Sequence, residues 1–113
     1  MDIFNELQQK INELNISVKS LRKTGSEYAE AYTKYRIKLA TKLVELRDEG
    51  MPVTIAYDVA RGQKDIAKEK YNEIVKQSIY QANQEAINSL KLQIRILESQ
   101  LSREYGNAGK GGF

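Results

Sequence analysis

The residues best suited to chemistry or recognition fall in two places. The first is Tyr57-Asp58-Val-Ala-Arg61-Gly62-Gln-Lys64, where Tyr57 and Arg61 stand one helical turn apart. An aromatic ring, a guanidinium, a carboxylate and an ammonium in eight residues suit a protein-binding or phosphate-binding surface. The competing reading is local: Asp58 pairs with Arg61, and Gly62 ends a helical turn. The second place is Tyr28, Tyr32 and Tyr35, interleaved with Lys34, Arg36, Lys38 and Lys42. Rings beside cations can stack bases and neutralise phosphates. Yet these tyrosines continue a leucine seam in phase, so amphipathic core filling with the phenol at the water edge is the stronger reading.

Catalysis has little to work with. The chain has no His and no Cys, hence no imidazole base, thiolate nucleophile, disulfide or ordinary zinc or haem ligand set. No glycine loop of the Walker type precedes a helix, and Asp48-Glu49 lack metal-ligand spacing. The expectation is no enzyme, no catalytic or metal-binding residues and no cofactor. A net charge of +3 over 113 residues permits nucleic-acid contact without demanding it. Its basic excess lies in residues 34–76, much of it expected to pair along the helices, as Asp65 with Lys68.

The elements that must position these residues are long helices. Phe4, Leu7, Ile11, Leu14, Val18 and Leu21 follow one another in steps of three and four, a heptad seam. The phase continues through Gly25, Tyr28, Tyr32, Tyr35 and Leu39, then shifts to Leu43 and Leu46. Asp2 is a candidate N-cap. Thr24-Gly25-Ser26-Glu27 has capping-box spacing around a glycine, so the helix either runs through it or breaks there. Gly50 suits a left-handed C′ position, Pro52 follows where a helix cannot continue, and Thr54 is a candidate N-cap for a short turn from Ile55 to Arg61.

A second long helix then takes the seam Ala67, Tyr71, Val75, Ile79, Ala82 and Ala86, continuing through Leu90, Ile94, Leu97 and Leu101 to Tyr105. The predicted fold is all-α: a long antiparallel, coiled-coil-like helical hairpin. Arm one covers about 3–49, the tip about 50–63 and arm two about 64–105, with a disordered Gly-rich tail over 106–113. Folding about residue 55 sets Leu7 opposite Leu101 or Arg103, Gly25 near Ala86 and Tyr35 near Val75.

Apolar residues also lie off the main seam: Ile66, Ile74, Ile87, Leu92 and Ile96 on arm two, and Ile3, Ile16, Ile37 and Val44 on arm one. A lone hairpin cannot cover both stripes, and a contiguous exposed stripe marks an interface. The expected partner is a second copy, giving a homodimeric four-helix bundle. No apolar run reaches membrane-spanning length, and the N-terminus lacks a basic region followed by an apolar one. A cytoplasmic, non-membrane protein is expected.

The stretch from Tyr28-Ala-Glu-Ala-Tyr32 through Gly50-Met-Pro52-Val53-Thr54 to Asp58-Val-Ala-Arg61-Gly62 resembles small helical proteins of Gram-positive phages and prophages. The resemblance covers residues 28–62 and carries over no functional residues. It implies a phage accessory role, in replication, recombination or opposing host defence, in the host cell cytoplasm. By contrast, the small secreted hairpins of type VII secretion carry a Trp-x-Gly turn, and this chain has no Trp.

Two site hypotheses follow. A non-enzymatic interaction protein would offer Tyr57, Asp58, Arg61 and Lys64 to an unidentified protein partner. Alternatively, a nucleic-acid-binding accessory protein would use Lys34, Arg36, Lys38, Arg61 and Lys64.

Overall fold

The structure, a computed structural model, describes residues 2–111, with side-chain surroundings from Asp2 to Gly106. It is an all-α helical hairpin of three helices: α1 (Ile3–Asp48), α2 (Val53–Arg61) and α3 (Lys64–Gly111). Its described residues include no strand. The expectation of a disordered tail over 106–113 meets a helix that passes Tyr105 and runs to Gly111. The rest of that tail lies outside the described residues.

Local chemistry sets the helix ends. The Asp2 carboxylate accepts from the Asn5 N–H at 2.8 Å, capping α1 as its sequence suggests. At the other end Met51 N–H donates to Leu46 O and Gly50 N–H to Arg47 O, each at 3.0 Å. This is a Schellman ending, and Gly50 takes its left-handed position with φ +92°. Thr54 is not the cap of α2. Pro52 (φ −58°, ψ 140°) holds that position without a side-chain cap bond. Its carbonyl accepts from Ile55 and Ala56 N–H, so the helix starts one residue before Thr54. Nor is there a break at Thr24–Ser26, since α1 is continuous across Gly25.

The chain divides into two compact units, one pairing residues 1–22 with 81–113, the other spanning 23–80. In the first, α3 buries Ile87, Leu90, Ile94 and Leu97, in heptad steps of three and four. The facing part of α1 half-buries Ile3, Leu7, Leu14 and Leu21, while Phe4 and Val18 are exposed. The Asn83 side-chain amide donates to Ser17 O at 2.9 Å, a polar tie between the two segments. Ile87, assigned by its sequence position to the outer stripe, is buried.

In the second unit the core sits under the tip. Tyr35, Leu39 and Leu46 of α1 meet Ala56 and Ala60 of α2 and Ile66 of α3. Ile66 is 1% exposed, so it too leaves the outer stripe. The register differs from a fold about residue 55: Gly25 lies under Tyr80 rather than near Ala86, and Tyr35 lies under Lys70 rather than level with Val75. The cause is α2, which folds back over the end of α1. Its alanines cover Leu46, so α3 starts well short of the α1 terminus.

The seam of α3 in this unit is also displaced. Ala67, Tyr71 and Ile79 are exposed, and Val75 is only half-buried. Ile66, Glu69 and Glu73 are the buried positions, and half-buried Lys76 and Tyr80 reach Glu27, Tyr28 and Gly25 of α1, again in steps of three and four. Polar side chains occupy heptad positions that a reading by hydropathy passes over.

Candidate functional site

The nine residues of α2 form the tip. Ala56 and Ala60, one turn apart, are 1% and 0% exposed. Small side chains let this short helix lie close on Leu39 and Leu46. Val59 packs half-buried beside them, while Val53, Ile55 and Tyr57 are all exposed. The guanidinium carbon of Arg61 stands 5.2 Å from the centre of the Tyr57 ring, a cation–π pair across one turn. Asp58 and Lys64 are exposed beside them, Lys64 opening α3. The structure thus joins Tyr57 to Arg61. It forms no Asp58–Arg61 ion pair among the described residues, although Gly62 does end the helical turn as the local reading has it. Val53 and Ile55 belong to the same surface and were missed. The signal was the alanine pair, since an inward face of Ala56 and Ala60 sets Val53, Ile55 and Tyr57 on the other side of a short helix.

The cations of α1 are distributed differently. Lys38 Nζ lies 3.0 Å and Lys34 Nζ 3.7 Å from Glu69 Oε1. The Lys38 hydrogen bond holds the Glu69 carboxyl below its ordinary value, against burial, which pushes the other way, and with help from the charges of Lys34 and Lys38. Arg36 is exposed. Lys76 reaches back to Glu27 of α1 at 3.4 Å. The expected Asp65–Lys68 pairing along α3 gives way to ties between helices and a Lys70–Glu73 pair.

Glu73 is 4% exposed. Its Oε2 is 3.0 Å from Lys70 Nζ, a close approach whose angle leaves that oxygen without a hydrogen bond. The Glu73 carboxylate raises the Lys70 pKa above its ordinary value, and burial opposes it. Lys70 Nζ also lies 4.9 Å from the centre of the Tyr35 ring.

The tyrosines mostly face their own chain. Tyr35 is buried. Tyr28 stacks on Tyr80 at 6.1 Å with an interplanar angle of 28°, and meets Tyr32 edge-on at 6.4 Å. Only Tyr32 of the α1 three is exposed. Among the described residues no cluster of acidic side chains has the arrangement of a metal site, and no helix is long and apolar enough to cross a membrane.

No family model matches the chain, and neither a curated protein nor a solved structure matches it.

Proposed function

We propose that this chain is a non-enzymatic interaction protein that presents α2 to a protein partner, and that it acts as a phage or prophage accessory protein. One observation carries the reading: α2 turns Ala56, Val59 and Ala60 to the core and leaves Val53, Ile55 and Tyr57 exposed beside Arg61. A tip serving only to turn the chain would not need three exposed large apolar side chains in nine residues. Aromatic and arginine anchors grouped in one patch are what protein interfaces use. The test is affinity capture from a Gram-positive host lysate with wild type and with Tyr57→Ala plus Arg61→Ala. Wild type should retain a specific protein that the double variant, still fully helical, loses. Identical captured sets would overturn the reading.

The same proposal includes self-association. Tyr71, Ile74 and Ile79 are exposed on α3, and Ile37 on α1 flanks an open groove with Ala29 and Thr33. Pairing with a second copy would cover this surface in a four-helix bundle. Light scattering on the purified chain should give twice the chain mass, and a monomer at micromolar concentration would exclude it.

Nucleic-acid binding has less support, because Lys34 and Lys38 are both engaged with Glu69. It would require oligonucleotide affinity that rises as salt falls.

A further inference from the structure

We propose that Glu69 is an acid-operated latch for the tip half of the hairpin, its protonation releasing α3 from α1 within residues 23–80 while the pairing of 1–22 with 81–106 persists. The geometry is a seam position filled by a carboxylate. Glu69 is 7% exposed and faces Lys38 and Lys34 across the helix pair. The next residue, Lys70, is set beside Glu73 of α3 and the Tyr35 ring of α1, with Arg61 of α2 in electrostatic range. Beyond the core under the tip, the ties between α1 and α3 in this unit include the Glu69 cluster, Lys76 with Glu27, the Tyr28–Tyr80 stack and Tyr80 against Gly25, with Ala31 of α1 also buried. The other unit differs in kind. Its α3 seam buries Ile87, Leu90, Ile94 and Leu97, none of which titrates.

The sign follows from the direction in which Glu69 is displaced. A carboxyl held below its unfolded value stabilises the folded unit at neutral pH, and that stability is lost as pH falls through the folded value, below the ordinary 4.5. Protonation removes the charge that both lysines face. Two ammonium groups one turn apart on α1 then lose the carboxylate they share, at a seam position that no apolar side chain fills.

The experiment follows the Glu carboxyl carbons and the backbone amide protection of the full chain by NMR from pH 7 to pH 3. In wild type, amides 69–80 should lose protection as pH falls from the ordinary carboxyl value to the lower folded value of Glu69, by at most about tenfold per unit of pH across that interval and no further below it, while amides 87–97 keep theirs. Glu69→Gln should have low protection in 69–80 at neutral pH and no acid step. Lys34→Gln with Lys38→Gln leaves the carboxyl covered but without cations, so burial dominates and lifts its pKa. Protection in 69–80 should then be flat or rise as pH falls. Loss of both units together in wild type, an unchanged acid step in Glu69→Gln, or an unchanged step in the double lysine variant would each overturn the latch.

Discussion

Tyr80 lies over Gly25: a Cβ built on this glycine would stand 3.1 Å from Tyr80 Cε1 and 3.5 Å from Cζ. The absent side chain is what admits the ring, and the ring stacks in turn on Tyr28. Gly25 is therefore a packing glycine inside a continuous helix rather than a break.

Substituting Gly25 sets two effects against each other. Alanine gains about 1 kcal/mol of helix propensity but forces Tyr80 to shift by a few tenths of an ångström. Gly25→Ala should change unfolding free energy by less than about 1 kcal/mol. Gly25→Leu, which needs room that the ring occupies, should cost about 1–3 kcal/mol. Urea denaturation followed by circular dichroism separates the two.

Gly50 differs because space is not the limit. Nothing lies within 4 Å of its missing Cβ, but its φ is +92°. Gly50→Ala should destabilise by about 1–2 kcal/mol through backbone strain alone. The loss should appear in thermal unfolding with no change in the tip's apolar contacts.

Ile66 and Tyr71 exchange the roles that hydropathy gives them. Ile66→Ala empties a site that is 1% exposed and should cost about 2–5 kcal/mol. Tyr71→Ala removes a ring that is 71% exposed and should alter the stability of the isolated chain by no more than about 0.5 kcal/mol. If a second copy covers this face, Tyr71→Ala should instead weaken the dimer measured by sedimentation.

Lys70 predicts an alkaline counterpart to the acid behaviour of Glu69. Its pKa is raised above 10.5 beside Glu73, so its contribution is present below its unfolded value and fades as pH rises through the folded one. Wild type should lose tip-half stability above about pH 10.5, seen as a steeper alkaline fall in melting temperature than in Lys70→Met.

The reach of the sequence can be judged from particular residues. Heptad spacing, Asp2, Gly50 and Pro52 were enough for an all-α hairpin with its first arm ending near residue 49, because these signals are local. The face of α3 over 66–80 was not legible. Its inward positions hold Glu69, Glu73 and Lys76, whose neighbours Lys38 and Glu27 are decades of residues away, while Tyr71 and Ile79 form a more apolar but outward row. The pairing of Gly25 with Tyr80 was hidden for another reason. It depends on α2 folding back, and a nine-residue helix held by two alanines has little periodicity to read. At the tip, Tyr57 and Arg61 were found from spacing, whereas Val53 and Ile55 needed the observed orientation of α2.

The alternation of three and four along α3 constrains how such a chain can change in length. Inward positions recur every seven residues, so inserting one or two residues in a single arm would rotate everything beyond them by a fraction of a turn. Glu69 would turn away from its lysines, or Leu90 away from its neighbours across the pair. Whole seven-residue modules matched on both arms would preserve the phase of this pairing, and insertions of three or four would preserve it only with a local change of twist, as the successive four-residue steps of Ala31, Tyr35 and Leu39 already require on α1.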